Sequence, residues 1–460
     1  MNIWKIEDIY RALKLKNYDC REITFSGISI DTRTIKKGEL YIPLKGKNFD
    51  GHDFIKEAFE KGAYASLTEE KIRKSSKNPE LLIHVRDTSE SLSRIAEFSR
   101  QRIKNLIVVS ITGSSGKTTL KDWVFHVFKD FKKTYCTPGN LNNEIGMPLT
   151  LSNMPYDTEL CILELGMNTP GEIKRLSKIA KPDIAIITNI GSAHSGNFRK
   201  VESIANEKSE IFSYLDRNST AIIPFESEYH KLIFNKASKK TQKVYSFGYH
   251  KDCEIKILEE DNLLKNFSIL NEEVKIKKKP SFANWDVNVS IILGLAKILK
   301  IKIQKTIPKI INLSPISGRG KVTKISYNSK LFTLIDESYN SNPESLIRAI
   351  ENLNNKEFIK LRKICIIGDM LELGGLSKKK HVSMVKTLAK IRPEIVITVG
   401  NYSKLIYDNL PGDFLKIHYQ DYKNVFKKLL GIIKNKDVIM IKGSNSINLH
   451  LVSEKLIKLG

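Results

Sequence analysis

The chain has 460 residues, of which 41% are hydrophobic and 28% are charged, and this length suits about three domains. The composition excludes a collagen-like chain, disorder along the whole length and a small disulfide scaffold. The net charge of 76 − 51 = +25 would suit a nucleic-acid binder, but the lysines are spread along the chain without interleaved aromatics, as expected of a lysine-, isoleucine- and asparagine-rich composition.

The sequence predicts a cytoplasmic protein without a membrane span. No apolar run approaches the ~18 residues that cross a bilayer, and the first ten residues already carry Lys5, Glu7 and Asp8, so we expect no signal peptide. The five cysteines are scattered and never spaced as C-x-x-C. They are typical of reduced thiols in the cytosol, not of a disulfide or zinc framework.

Three regions of different pattern follow one another, and we expect one domain in each: 1–85, 86–313 and 314–460. The first mixes short strand-like runs, such as 40–44, with a helix over 54–61. The second alternates buried strands, at 106–111, 160–163 and 184–187, with helices such as 118–128. Residues 250–280 alternate apolar and polar side chains and predict a small antiparallel extension.

The third region repeats the strand–helix theme after the turn-rich segment 314–318. Buried strands are predicted at 363–367, 395–399 and 438–441. Strands that alternate with helices favour parallel sheets with right-handed crossovers. The predicted fold class is therefore α/β.

The sharpest motif is the glycine-rich turn between the strand at 106–111 and the following helix. Glycines let the backbone N–H groups face a phosphate, and the helix N-terminus adds a positive dipole end. The lysine can reach the terminal phosphates and the first threonine after it can bind Mg²⁺. The predicted ATP-binding residues are Thr112, Gly113, Ser114, Ser115, Gly116, Lys117, Thr118 and Thr119. Because Ile111 replaces the upstream glycine, this is the shorter G-x-x-G-K-T form of a P-loop.

Polar residues follow several other strands, at the edge where open parallel sheets bind ligands. Glu164 directly follows one strand and His194 follows the next after a short loop. Glu164 could equally be a surface glutamate, and His194 a structural histidine. Asp336 begins the turn-rich segment 336–345. Two further polar segments follow later predicted strands: the glycine-punctuated loop 368–375 and Lys442-Gly443-Ser444.

Taken together, these motifs resemble the Mur ligase family of ATP-dependent amide-forming enzymes over nearly the whole chain. The family loop T-G-x-x-G-K-T matches 112–118, and its G-N-x-N-N-x-x-G-x-P run matches 139–148. Glu164-Leu165-Gly166, Ala193-His194 and Glu207-Lys208 match its metal-site elements, and 336–343 is similar to its D-x-Y-N-A-N-P motif. Gly-Asp-Met-x-Glu-Leu-Gly at 368–374 resembles the members that add a dipeptide.

The resemblance implies a small UDP-sugar-binding domain, a central P-loop-type ATPase domain with a mostly parallel sheet, and a C-terminal Rossmann-like domain. It implies the reaction UDP-MurNAc-tripeptide + D-Ala-D-Ala + ATP → UDP-MurNAc-pentapeptide + ADP + phosphate, a step of peptidoglycan precursor synthesis. We expect a monomer that uses these two substrates and binds no nucleic acid.

The resemblance also assigns site residues. Lys117, Glu164, His194 and Lys208 are the expected catalytic residues. Two Mg²⁺ ions are expected, one on Thr118 and Glu164 and one on His194 and Lys208. A free ammonium has no lone pair for a metal, so the resemblance implies that Lys208 is carbamylated; read alone, it is a solvated helix lysine. Further expected contacts are Asn284, Arg319 and Asp336 with ATP, and Asp31, Arg33, Asn142, Asn143, Tyr339, Asn340 and Asn342 with the substrates.

The chain departs from the family pattern at Ala283, where histidine is usual, and at Asn445, where arginine is usual. Two alternatives remain open. One is a ligase of the same family that adds a single amino acid. The other is a basic P-loop NTPase that binds nucleic acid, which would leave the first region unexplained.

Overall fold

The structure, a computed structural model, describes residues 2–16, 22–46, 48–70, 81–191, 196–198, 200–260, 264–277 and 285–460. Within these ranges no helix combines the length and the apolar character needed to cross a bilayer. The expected site residues His194 and Asn284, and the substituted position Ala283, lie outside the described residues.

The first region forms a four-stranded parallel sheet and a two-stranded antiparallel ribbon. Its elements are β1 (Trp4–Lys5), α1 (Ile6–Leu13), β2 (Thr24–Phe25), β3 (Ile28–Ser29), β4 (Leu40–Tyr41), α2 (Ile55–Glu60), β5 (Ala65–Thr68) and β6 (Leu81–His84). Helix α3 (Thr88–Gln101) follows, just beyond the boundary predicted at residue 85. The predicted helix over 54–61 is confirmed as α2, which follows a short 3₁₀ turn. The strand predicted over 40–44 pairs only at Leu40–Tyr41.

The second region builds a nine-stranded sheet in the order β15-β14-β13-β12-β11-β10-β7-β9-β8. Its strands are β7 (Ile107–Thr112), β8 (Thr134–Cys136), β9 (Leu160–Glu164), β10 (Ile184–Ile187), β11 (Thr220–Pro224), β12 (Lys243–Gly248), β13 (Ile255–Glu260), β14 (Leu264–Ile269) and β15 (Glu272–Lys277). Neighbours from β8 to β13 are parallel. The strands β13, β14 and β15 pair antiparallel, which confirms the predicted extension.

Helices cover both faces of this sheet. They are α4 (Lys117–Phe128), α5 (Gly146–Ser152), α6 (Glu172–Ala180), α7 (Val201–Ser209), α8 (His230–Ser238), α9 (Trp285–Ile298) and α10 (Ile303–Ile311). One face packs against α4, α9 and α10 and the other against α5 to α8. Burial on both faces explains why the central strands are continuous apolar runs.

The third region is a six-stranded sheet in the order β16-β17-β21-β18-β19-β20, in which only β16 is antiparallel to its neighbour. Its elements are β16 (Lys321–Tyr327), β17 (Lys330–Glu337), α11 (Pro343–Asn352), β18 (Lys363–Gly368), α12 (Ser377–Ile391), β19 (Ile395–Val399), α13 (Lys404–Asn409), β20 (Leu415–Tyr419), α14 (Val425–Ile432), β21 (Val438–Lys442) and α15 (His450–Ile457). The predicted α/β fold class with mostly parallel sheets is therefore confirmed.

The strand order brings several predicted loops to common edges. In the central sheet β7 lies between β9 and β10, so the loops after these three strands leave at the same edge. In the C-terminal sheet β21 lies between β17 and β18. Helix α3 packs into the hydrophobic core of the first region and into that of the second. Because this helix belongs to both cores, the exact domain boundaries stay predictions.

Candidate active site

The loop between β7 and α4 has the backbone conformation of a phosphate cradle. Gly116 caps α4 with φ +78, a left-handed conformation that glycine adopts without strain. A side chain at Gly113 would place its Cβ 1.9 Å from the hydroxyl of Thr188. Glycine is thus required at position 116 because of the backbone conformation, and at position 113 because a side chain would collide with Thr188.

Asn189, which follows β10, holds the first half of this loop. The N–H of Ser114 donates to the Asn189 carbonyl at 3.1 Å, and the N–H of Ser115 donates to the Asn189 side-chain oxygen at 2.9 Å. The Asn189 amide also donates to the Ser115 hydroxyl at 2.6 Å. Within the described residues, the structure shows no protein acceptor for the N–H groups of residues 116–119, so these groups fit an anionic phosphate.

Thr118 and Glu164 form the oxygen pair that the sequence predicted. The Thr118 hydroxyl donates to Glu164 Oε2 at 2.6 Å, and the Asn142 amide donates to Glu164 Oε1 at 2.7 Å. Glu164 is 2% exposed. A hydroxyl and a carboxylate are hard oxygen ligands of the kind that Mg²⁺ prefers, so the residues present fit the expected ion.

A buried lysine supports the loop that carries Asn142. Lys121 on α4 is 1% exposed and donates from Nζ to the carbonyls of Thr137 at 2.8 Å and Gly139 at 3.0 Å. The Thr137 hydroxyl in turn accepts from the N–H of Glu164 at 3.0 Å. Lys121 therefore fixes the segment that orients the Glu164 carboxylate.

Lys117 folds back onto its own loop and donates to the Gly113 carbonyl at 2.8 Å. Burial lowers the pKa of this amine, and the nearby Glu164 carboxylate opposes that shift. The lysine thus sits where its charge can meet a terminal phosphate.

Lys208 lies on α7 with only 1% of its surface exposed. Burial is the main cause that holds its pKa well below the usual range, and repulsion from Lys117 adds to it. A neutral amine is the form that can react with CO₂, so the site fits the expected carbamylation. Its neighbour Glu207 instead accepts from the N–H groups of Gly171 and Ile173, at 2.8 and 3.0 Å, at the start of α6.

The third region contributes Arg319, whose guanidinium lies 3.9 Å from the centre of the Tyr339 ring. Asp336 is 2% exposed; it accepts from the N–H of Gly318 at 2.7 Å and from the Ser338 hydroxyl at 2.6 Å. The Asp336 carboxylate thus orients the turn before Arg319, and its contact with ATP stays a prediction. Asn342 caps α11 by accepting from the N–H of Ser345 at 2.9 Å.

One cavity of about 700 Å³ brings most of these side chains together, between the edges of the central and C-terminal sheets. The predicted residues that line it are Ser114, Ser115, Gly116, Lys117, Thr118, Asn142, Asn143, Glu164, Arg319, Tyr339, Asn340 and Asn342. Thr119 lines a smaller neighbouring cavity of about 110 Å³, together with Arg319 and Asn288.

The remaining predicted residues of the described chain do not line the large cavity. They are Thr112, Gly113, Lys208, Asp336, Asp31 and Arg33. Arg33 and Asp31 follow β3 in the first region and pair with each other at 2.6 Å, and hydrogen bonding from Arg33 lowers the pKa of Asp31. Their role in binding the UDP part of the substrate stays a prediction.

Several residues of this site were not among those predicted from the sequence. Asn189 lies two residues after the predicted strand 184–187, which places it at a strand end, but its contact with the phosphate loop depends on how the strands pair. Glu372 lines the cavity from within the glycine-punctuated loop 368–375, but no single residue of that loop was singled out. Lys121 carries no sequence signal beyond its place on α4, because the loop that it holds is contacted through backbone carbonyls.

Three family models match the chain in order: "Mur ligase family, catalytic domain" at 24–100, "Mur ligase middle domain" at 111–282, and "Mur ligase, glutamate ligase domain" at 319–445. These matches cover most of the chain, including the phosphate loop and the loops of the third region. The chain belongs to the Mur ligase family.

Individual Mur ligases match over their full length. The UDP-N-acetylmuramoyl-tripeptide–D-alanyl-D-alanine ligase of Rickettsia prowazekii is 32% identical, with 98% of this chain and 99% of that protein covered. A crystal structure of MurF from Acinetobacter baumannii gives a TM-score of 0.84 at 25% identity, covering 99% of each chain. MurF from Thermotoga maritima in complex with ADP gives 0.79 at 26% identity, covering 94% and 97%.

Proposed function

We propose that this chain is the ATP-dependent ligase that joins D-alanyl-D-alanine to UDP-MurNAc-tripeptide, giving UDP-MurNAc-pentapeptide, ADP and phosphate. Full-length similarity to ligases named for this reaction supports the substrates. The observation that carries the chemistry is the cavity in which the phosphate loop, the Thr118–Glu164 pair and the loops of the third region meet.

The arrangement suits activation of a carboxylate by phosphorylation. A carboxylate is a poor acylating agent, so its oxygen attacks the γ-phosphate of ATP, and this approach sets two anions against each other. Lys117 and the N–H groups of residues 116–119 stabilise the negative charge that spreads over the transferred group. The amine of the dipeptide then attacks the acyl phosphate and phosphate leaves, so no nucleophile of the protein is required.

We propose that Thr118 and Glu164 hold one Mg²⁺, and that His194 with a carbamylated Lys208 holds a second. Magnesium would supply charge neutralisation on the phosphate oxygens. Among the described side chains, no group of three or more His, Cys, Asp or Glu residues is arranged to hold a metal. The proposed first site therefore relies on one hydroxyl and one carboxylate of the protein.

We also keep as proposals a cytoplasmic location, a monomeric state and domain boundaries near residues 85 and 313. The substrate domain at the N-terminus would hold the UDP moiety beside Asp31 and Arg33. The third region would close over the central one, which keeps water away from a hydrolysable acyl phosphate.

The decisive experiment measures ADP release by the purified protein with ATP and Mg²⁺ in two mixtures. One contains UDP-MurNAc-tripeptide and D-Ala-D-Ala, and we expect turnover there. The other contains UDP-MurNAc-dipeptide with diaminopimelate or lysine. Turnover in the second mixture alone would contradict the proposal and favour a ligase that adds a single amino acid.

A further inference from the structure

Two carboxylates line the large cavity within the described part of the chain, Glu164 and Glu372. Both oxygens of Glu164 already accept hydrogen bonds, from Thr118 at 2.6 Å and from Asn142 at 2.7 Å. Glu164 is buried, whereas Glu372, which comes from the third region, is exposed. Glu372 is therefore the carboxylate that an organic ligand in the cavity can reach.

The backbone around Glu372 is held from two sides. Its φ of +64 is in the left-handed region, which non-glycine residues adopt only where their surroundings impose it. Its carbonyl accepts from the N–H of Gly196 at 3.0 Å, and the preceding N–H of Leu371 donates to the Ser444 hydroxyl at 2.9 Å. The central region and the loop after β21 thus fix the backbone position from which the Glu372 side chain extends.

The charges of the cavity explain what Glu372 is suited to bind. Lys117, Arg319 and Lys442 line the same cavity and suit phosphates and carboxylates. An amine acceptor enters as an ammonium ion, which these cations repel. Glu372 lines this cavity together with Lys117 of the phosphate loop.

We propose that Glu372 binds the ammonium group of the incoming acceptor, and so forms a subsite for a primary amine opposite the phosphate loop. The inference rests on the proposed function, because only a ligase that forms an amide needs an amine held at this place. The carboxylate attracts the ammonium group electrostatically. Because the backbone of Glu372 is fixed, the bound amine would be held facing the side of the cavity where the acyl phosphate forms, next to the phosphate loop.

The experiment compares wild-type protein with Glu372→Gln, which keeps the side chain's size and removes its charge. ADP release is measured while D-Ala-D-Ala, ATP and UDP-MurNAc-tripeptide are varied in turn. We expect the KM for D-Ala-D-Ala to rise at least tenfold. The KM values for ATP and for UDP-MurNAc-tripeptide should stay within twofold, which also shows that the variant is folded.

A ligand without the amine separates this role from a general effect on the cavity. Propionyl-D-alanine has the shape of D-Ala-D-Ala but no ammonium group, and its inhibition constant should differ by less than twofold between wild type and Glu372→Gln. Glu372→Asp keeps the charge and should give a KM for D-Ala-D-Ala between the two. The matched control is Glu351→Gln, an exposed residue of α11, which should leave every constant unchanged.

Three results would overturn the subsite. The first is an unchanged KM for D-Ala-D-Ala in Glu372→Gln. The second is an equal loss of affinity for D-Ala-D-Ala and for propionyl-D-alanine, and the third is a parallel rise in the KM for ATP. A wild-type protein that releases no ADP with D-Ala-D-Ala contradicts the proposed function itself, and the subsite falls with it.

Discussion

Single side chains set the chemistry of the cavity, and the Thr118 hydroxyl, at the end of the phosphate loop, donates to Glu164. Thr118→Ala removes the hydroxyl and leaves one oxygen of a buried carboxylate without its donor. We expect kcat/KM for ATP to fall by about 10²-fold, and the Mg²⁺ concentration for half-maximal activity to rise. Thr118→Ser restores the hydroxyl and should recover most of the activity; an equal loss in both variants would contradict a ligand role.

Substitutions of Lys208 test whether its buried amine is converted to a carbamate. Lys208→Ala should lose most activity, and Lys208→Glu, which supplies a carboxylate, should retain some. The measurement is ADP release in bicarbonate buffer, combined with ¹³C NMR of protein equilibrated with ¹³C-bicarbonate. A carbamate signal is expected in the wild type and not in Lys208→Ala, and full activity of Lys208→Ala would discard the idea.

Part of this site could be predicted from the sequence because strand ends in a parallel sheet converge. Glu164 ends β9, and Thr118 lies in the first turn of α4, after the loop that follows β7. The two side chains can therefore meet once β7 and β9 are neighbours. The roles of Asn189 and Lys121 could not be predicted, because one depends on the strand register between β7 and β10 and the other on the path of residues 137–143. The partners of Asp336 likewise appear only in the folded turn.

Helix α4 acts as more than a support for the phosphate loop, because its Lys121 holds the segment 137–139. Lys121→Met keeps the buried length of the side chain but removes its ion pair with Asp122 at 3.1 Å. It also leaves two carbonyls without donors, which costs about 1–3 kcal/mol each when no water replaces them. We expect a lower midpoint of thermal unfolding and a higher KM for ATP. Lys129→Met, an exposed position at the end of the same helix, is the matched control and should change neither.

Helix α12 holds the loop of Glu372 through His381, which is fully buried. Its Nε2 accepts from the N–H of Met370 at 2.9 Å, and its Nδ1 faces the Ser377 carbonyl at 2.7 Å, so the ring is neutral. Burial lowers the pKa of His381, although hydrogen bonding to Ser377 and the Asp369 carboxylate oppose the shift. A histidine with a lowered folded-state pKa takes up its proton more readily when unfolded.

In the unfolded chain, His381 has a pKa of about 6.5. Above that pH the neutral ring makes its full contribution to the free energy of unfolding, and this contribution is lost as the pH falls below that value. The expected slope is at most about 1.4 kcal/mol per pH unit. Thermal unfolding between pH 5 and 8 measures it, and His381→Gln should show a weaker pH dependence in this range. Identical profiles for the two proteins would contradict this role.

At the scale of whole elements, the sequence was accurate where burial alone decides the structure. The strands at 184–187 and 395–399 are found with the predicted bounds, because short apolar runs between polar loops have no alternative in a parallel sheet. The run at 40–44 pairs over only two residues, because the length of a strand also depends on where its neighbours end.

Across the whole molecule, the central and third regions meet at several points around the cavity. The Trp123 indole on α4 donates to the Ser314 carbonyl at 3.0 Å, and the N–H of Gly196 donates to the Glu372 carbonyl at 3.0 Å. Gly196 and Gly374 approach so closely that a Cβ on Gly374 would lie 2.6 Å from the Cα of Gly196. The closed arrangement of the cavity depends on glycine at both positions.

Gly374→Ala should keep the two regions from closing fully. We expect kcat to fall about tenfold or more, because small displacements of reacting groups are costly, and more ADP to be released per pentapeptide as water reaches the acyl phosphate. The backbone of Gly374 has φ +54, so Gly374→Asn, which tolerates this conformation, separates strain from the lost contact and should be equally impaired. Gly375→Ala, whose Cβ would meet nothing within 4 Å, should behave as wild type; a fully active Gly374→Asn would show that backbone strain, not the glycine contact, limits the enzyme.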